Sequence, residues 1–191
     1  THRLSSAASD VYKRQARDLT VIVEIYNASI PSRIATGDLE LISMESRISW
    51  YQEHSPDSRP ILVIELDDKV VGWLSFQSFD DRPAYQATVE VSIYVAPEYK
   101  GQGIGKKLLS EAIHRSPQLG IKTLLGFIFS HNIPSLNLFN KFNFQRWGYL
   151  PKVADLNGIK GDLVIVGLHL EEVKNKNKSE YRVDISKLTS S

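Results

Sequence analysis

Hydrophobic positions change their period along this chain, and each change marks an element. Leu19, Ile22, Val23, Ile25 and Tyr26 recur at helical spacing behind Asp18, which predicts a helix with Asp18 as its N-cap. A second helix is predicted over residues 44–54, with Ile48, Trp50 and Tyr51 on its apolar side and Ser55-Pro56-Asp57 as its stop. The period then shortens. Residues 60–66 and 69–79 read as two strands split by Asp67-Asp68, a hairpin signal. Over residues 87–95, Thr88, Glu90, Ser92 and Tyr94 alternate with Val89, Val91, Ile93 and Val95, so this strand carries two different faces.

Past Pro97, the run Lys100-Gly101-Gln102-Gly103-Ile104-Gly105 opens a helix with Leu108, Leu109, Ala112 and Ile113 on one side. Residues 122–129 are almost continuously apolar, as a buried central strand would be. A short helix over 134–141 and strands near 144–149 and 163–170 complete the pattern. The order is two helices, three strands, helix, strand, helix, two strands, without an internal repeat. It predicts an α/β (α+β) sheet with helices on its faces.

Composition narrows the picture only where it differs from the average. The 191 residues suit one domain, and the formal net charge of +1 argues against a nucleic-acid partner. Cysteine is absent, which removes disulfides, thiolate metal sites and a cysteine nucleophile, and fits a reducing cytoplasm. No apolar run approaches the roughly 20 residues of a bilayer span, and no secretory h-region is found, so no membrane partner is expected. Residues 1–15 have no apolar period and no initiating Met. Asp10-Val11-Tyr12-Lys13-Arg14-Gln15 reads like the translation of a transposon end used in sequencing libraries, so 1–15 is set outside the domain as a scar. Residues 171–191, rich in Lys, Asn, Glu and Ser, read as a polar tail, with a short element conceivable at 183–188; the domain is predicted over 16–170.

The glycine run is the first candidate site. A helix start offers unpaired N–H groups and the positive end of its dipole, and glycines let an anion approach the backbone. Lys100 and Lys106 add charge at its rim. A P-loop would need a hydroxyl residue where Lys107 stands, and a dinucleotide fingerprint needs different spacing from Gly101, Gly103 and Gly105. On the loop alone, an anion site and a ligand-free strand-to-helix turn both remain open.

Two segments together carry a resemblance. Lys100, Gly103 and Gly105 fall on motif A of the GCN5-related N-acetyltransferase (GNAT) family, with Lys in place of Gln or Arg. Residues 132–144, with Asn132, Ser135, Phe139 and Phe144, resemble its motif B. Glu24-Ile25-Tyr26-Asn27, Ser46-Arg47 with Trp50-Tyr51, and residues 82–95 look most like the phosphinothricin-acetyltransferase subgroup. The resemblance implies a mixed, mostly antiparallel sheet of about six to seven strands with about four helices. It implies acetyl-CoA as cosubstrate, no metal, and a homodimer. The cosubstrate would be held by Ser92, Ile93, Tyr94, Val95, the loop Lys100, Gly101, Gln102, Gly103, Ile104, Gly105 and Lys106, and by Asn132 and Ser135.

Amine acetylation needs a base, because an alkyl ammonium has a pKa of roughly 10. Glu90, in a β-favouring strand just upstream of the loop, is the candidate and matches the family's glutamate; a solvated strand carboxylate is the bland alternative. Arg82 and Tyr85, with Arg33 and Thr36 in the loop between the first two helices, are the candidate acceptor contacts, Arg82 holding an acidic group. The expected acceptor is a small amino-acid-like amine of phosphinothricin or methionine sulfoximine type. A protein N-terminus, a polyamine, or a non-catalytic acetyl-CoA-binding module are the alternatives. Departures from the family pattern are Phe139 for a Tyr or His, Asn143 for Gly, Gln86 for Arg, and the segment 154–163. His54, His114 and His131 read as ordinary surface or capping residues, and Trp50, Trp73 and Trp147 as core or pocket wall.

Overall fold

The computed structural model describes residues 10–170. In chain order it contains β1 (Asp10–Lys13), α1 (Leu19–Ser29), α2 (Met44–Glu53), β2 (Ile61–Leu66), β3 (Lys69–Ser78), β4 (Thr88–Val95), α3 (Ile104–Arg115), β5 (Thr123–Phe129), α4 (Ile133–Lys141), β6 (Gln145–Leu156) and β7 (Ile159–His169). The strands form one sheet in the order β1-β2-β3-β4-β5-β7-β6. Every neighbouring pair is antiparallel except β4 and β5. This is the mixed, mostly antiparallel sheet that the resemblance implied. Among the described residues no helix is long and apolar enough to cross a membrane.

Strand alternation divides the core in two. Leu62, Ile64, Leu74, Phe76, Val89 and Val91 face α3 and α4, where Ile104, Leu108, Leu109 and Phe139 meet them. On the opposite face, Ile61, Val63 and Trp73 pack against Ile22, Ile25 and Tyr26 of α1 and Tyr51 of α2. The two faces of β4 therefore separate as their periodicity predicts: the aliphatic face joins the α3 core, and the face bearing Glu90, Ser92 and Tyr94 looks toward α1 and α2. Asp67 and Asp68 both take positive φ (48° and 60°) and make the β2–β3 turn.

Several expectations are corrected. Residues 10–15 belong to the fold: β1 pairs with β2 from Asp10↔Glu65 to Lys13↔Leu62, and Arg14 N–H donates to the Ile61 carbonyl at 2.9 Å. The unpaired outer side of β2 accepts any extended segment through its backbone, and Val11 and Tyr12 add one side chain to each core. Asp18 is not the N-cap of α1 by its side chain. It ends a short 3₁₀ turn at φ −83°, ψ −13°, and its carboxylate accepts the Gln15 N–H at 2.6 Å. Ile48 is exposed, since α2 buries only a narrow side around Tyr51. His54 caps α2 but is buried, its Nδ1–H donating to the Trp50 carbonyl at 2.7 Å. The last two strands run much further than predicted, meeting at an Asn157-Gly158 turn with φ of 56° and 89°. The predicted tail and its 183–188 element lie outside the described residues.

Candidate active site

The parallel pairing of β4 with β5 covers only Thr88–Glu90 against Thr123–Leu125. Beyond it β4 stays on β3 up to Val95↔Gly72, while β5 stays on β7 up to Phe129↔Leu163. The two strands part in the middle of the sheet. Val91 to Val95 thus present backbone N–H and C=O groups toward β5 without a strand partner among the described residues. Such groups require partners, and an extended amide-bearing ligand can supply them as an added strand does. Ser92, Ile93, Tyr94 and Val95 all lie on this open edge.

The glycine loop stands at the end of that edge. A 3₁₀ turn, Pro97–Tyr99, leads into Gly101 at φ 75° and Gly103 at φ 85°, the latter being the N-cap of α3. The first helical bond runs from Lys107 N–H to the Gly103 carbonyl at 3.0 Å, so the N–H groups of Ile104, Gly105 and Lys106 have no acceptor within the helix. Open space lies before Gly101 and Gly103, where an added Cβ would meet no atom within 4 Å. Gln102 closes the loop by donating to the Glu98 carbonyl at 2.9 Å, and Lys100 and Lys106 are exposed beside it. Ile104 offers only its backbone, because its side chain is buried against Gly72, where a Cβ would come within 2.9 Å of it.

On the α1–α2 side of β4 lies a cavity of about 200 Å³, lined by residues including Tyr26, Arg47, Trp50, Trp73, Glu90 and Ser92. Registers Trp73↔Tyr94, Ser75↔Ser92 and Gln77↔Glu90 align its floor. Among the described residues, Glu90 is its one carboxylate and Arg47 its one cation. Burial pushes the Glu90 carboxyl pKa above its ordinary value, and the Ser92 hydroxyl, 3.4 Å from Oε1, partly opposes this by donating to the charged form. Burial also pushes up the Tyr94 phenol, which therefore stays neutral; its ring stacks on Trp73 at 4.6 Å.

Tyr26 organises one wall. Its hydroxyl donates to Asp38 Oδ2 at 2.6 Å and so receives the Thr36 hydroxyl, also at 2.6 Å. Arg47 lies over the Tyr26 ring at 4.8 Å and the Trp50 ring at 5.3 Å, with Nη2 3.5 Å from Asp38 Oδ2. The loop that supplies Thr36 and Asp38 is tied to the far side of the parting strands. The His131 Nε2–H donates to the Arg33 carbonyl at 2.9 Å, and Asn132 Nδ2 to the Ile34 carbonyl at 3.2 Å. Asn132 also caps α4 by accepting the Ser135 N–H at 3.2 Å.

The candidate acceptor residues separate. Thr36 stands behind Tyr26, buried, and Arg33, at φ 55°, donates from Nη1 to the Asp38 carbonyl at 3.2 Å; both shape the wall without lining the cavity. Arg82 forks onto Asp80 at 2.8 and 2.9 Å, 5.0 Å above the Tyr85 ring, in an exposed turn. Neither Arg82 nor Tyr85 lines the cavity, because the 3₁₀ turn preceding β4 carries them away from it. Phe139 is buried over Gly126, where a Cβ would come within 2.8 Å of its ring, and against Phe144 at 4.8 Å. Asn143 takes φ 64°, the left-handed conformation that a glycine would otherwise supply.

Residues 21–144 match the family described as acetyltransferase (GNAT). The chain belongs to this family. It is 46% identical over 155 residues to a Bacillus subtilis protein named a candidate phosphinothricin acetyltransferase, YwnH, covering 81% of this chain and 94% of that one. It is 31% identical to an L-methionine sulfoximine/L-methionine sulfone acetyltransferase of Salmonella typhimurium, over 81% and 91% of the two chains. A Sinorhizobium meliloti phosphinothricin acetyltransferase solved with acetyl-CoA superposes with a TM-score of 0.80 at 28% identity, covering 84% of this chain and 88% of that one.

Arg47 lines the cavity and is not among the acceptor contacts expected from the sequence. Its signal was present, one turn before Trp50 on the same helix, but its face could not be assigned while α2 showed so few apolar positions.

Proposed function

We propose that this chain is an acetyl-CoA-dependent N-acetyltransferase acting on the primary amine of a small amino-acid-like molecule, of phosphinothricin or methionine sulfoximine type, with Glu90 as base. One observation carries the reading. The one carboxylate that lines the cavity among the described residues belongs to the last residue of β4 that pairs with β5, Glu90↔Leu125, so it stands where the strands part. The open edge of Ser92 to Val95 and the free N–H groups of Ile104 to Lys106 fit an amide-bearing arm that ends in phosphates, with Lys100 and Lys106 at the rim. Acetyl-CoA would supply the activated acetyl thioester.

Glu90 takes a proton from the acceptor's ammonium group, a role that its raised pKa favours. The freed amine forms the C–N bond as the thioester C–S bond breaks, and the second nitrogen proton goes to the departing thiolate. Backbone N–H groups on the open β4 edge are suited to bind the carbonyl oxygen as it gains charge. Phe139 can donate no proton, and it is spent on core packing over Gly126. A cavity of about 200 Å³ is smaller than the roughly 300–1,000 Å³ of drug-sized pockets, which supports a small acceptor.

Thiol release from acetyl-CoA tests the proposal cleanly, because the chain has no cysteine to react with the reagent. Turnover is expected with L-methionine sulfoximine or L-phosphinothricin. Glu90→Gln should lower kcat/KM by about 10²–10⁴-fold. Undiminished turnover in that variant would refute the base assignment, and activity confined to peptides or polyamines would refute the acceptor.

A further inference from the structure

The chemistry above leaves one cavity group unused. Among the described residues, Arg47 is the only positively charged side chain lining the cavity, and its contacts fix its position. Ser43 caps α2, accepting the Ser46 N–H at 3.2 Å, and fixes the turn from which Arg47 projects. The faces of Tyr26 and Trp50, 4.8 and 5.3 Å from the guanidinium carbon, hold the group by cation–π attraction. Asp38 takes one corner through a long 3.5 Å contact, while its own Oδ2 is shared with the Tyr26 hydroxyl. That contact is the only hydrogen bond of Arg47 to protein among the described residues, and a guanidinium has five N–H donors. The side chain is only 25% exposed. The result is an oriented cationic fork with most of its donors unspent, facing a space whose other charge is Glu90.

Arg82 differs on each count. Its Nε and Nη2 are both committed to Asp80, and its side chain is 72% exposed. Exposed ion pairs of this sort stabilise weakly.

We propose that Arg47 determines acceptor specificity by binding the α-carboxylate of the amino-acid substrate, which turns its amine toward Glu90. The proposal rests on the amino-acid reading above and assigns its recognition element. A carboxylate meets the fork through two parallel hydrogen bonds, and the aromatic walls of Trp50 and Trp73 are left for the acceptor's side chain. The cavity then discriminates against amines that lack the acid, such as polyamines and amino-acid amides.

Calorimetric titration of the full chain, saturated with coenzyme A so that no turnover occurs, tests this with L-methionine sulfone and its α-carboxamide. The unaltered protein should bind the acid about 10–100-fold more tightly than the amide, the range of a charge-assisted hydrogen-bonded pair. Arg47→Gln should weaken the acid by a similar factor, leave the amide nearly unchanged, and keep coenzyme A affinity, which reports an intact fold. Arg47→Lys should recover part of the preference. In turnover, Arg47→Gln should raise KM for the acid far more than it lowers kcat. Equal weakening of acid and amide, or no weakening of either, overturns the role of Arg47. If the unaltered protein binds neither probe yet acetylates other amines, the amino-acid reading fails and takes this proposal with it.

Discussion

Gly103 offers the sharpest test of the cofactor half of the site. It caps α3 at φ 85°, and an added Cβ there would meet no protein atom within 4 Å. Gly103→Ala therefore causes no clash in the free protein, and its cost is backbone strain alone, about 1–2 kcal/mol for an L-residue held left-handed. Each kcal/mol lowers Tm by roughly 2–4 °C in a chain of this size, so the loss should be about 2–8 °C. Asparagine tolerates the left-handed region, and Gly103→Asn should regain much of that loss. Ligand affinity should behave otherwise. Both variants put a Cβ into the open space before the free N–H groups of Ile104 to Lys106, where an anion must approach. Losing one hydrogen bond to a charged group costs about 1.5–3 kcal/mol, so both should bind acetyl-CoA roughly 10–100-fold more weakly. Scanning calorimetry reads the first effect and fluorescence titration of Trp50 and Trp73 the second. If Gly103→Asn restores affinity together with Tm, the glycine serves conformation only, and the close approach of an anion at this helix start is refuted.

Three further outcomes follow from the site. The raised pKa of Glu90 places the acid limb of kcat/KM above the usual carboxylate range, with activity rising as pH climbs through it; a limb near pH 4.3 refutes the effect of burial. For stability the sign reverses. A carboxyl raised in the folded state contributes stability in full below its unfolded pKa and loses it as pH rises through the folded value, so Glu90→Gln should raise Tm more at pH 7.5 than at pH 4. With one cation in the cavity, L-phosphinothricin, which carries a second anion, should show a lower kcat/KM than L-methionine sulfone; equal values would show that charge does not decide the choice. Asn132→Ala should cost about 1 kcal/mol through its lost cap and also raise the acceptor's KM, since the same side chain tethers Ile34; a change in Tm without a change in KM would confine Asn132 to capping.

Local chemistry made much of this fold readable. The alternation of residues 87–95 separated the Glu90 face from the α3 face, and the run Lys100 to Gly105 marked the helix start with left-handed glycines at 101 and 103. What escaped depends on where the chain goes next. Asn157-Gly158 is a strong hairpin signal, yet Pro151 stands in the strand ahead of it. Because β6 lies at the sheet edge, it absorbs the proline in a register shift between Leu150 and Ala154, with Lys152 at φ 53°. Residues 10–15 have no helical period to read, and their place is set by the open side of β2.

The lining of the cavity around Glu90 is hard to read from the sequence for a related reason. Arg82 and Tyr85 are near Glu90 in sequence, but nearness along a strand does not bring a side chain into the cavity. What surrounds Glu90 comes from α1 and α2 across the sheet face, so Arg47 reaches the cavity by packing. The loop of Arg33 and Thr36 acts from behind: Thr36, Tyr26 and Asp38 form one hydrogen-bonded chain ending at Arg47, while Arg33 and Ile34 are fastened to His131 and Asn132 at the start of α4. That loop physically joins the helix following β5, on the cofactor side, to the wall that positions the cavity's cation. Asn132 makes both of its side-chain hydrogen bonds among the described residues to protein, one donated to Ile34 and one accepted from Ser135. Those contacts and that of His131 fasten the loop from Arg33 to Asp38, and with it the cavity wall, to the start of α4 beside the gap between β4 and β5.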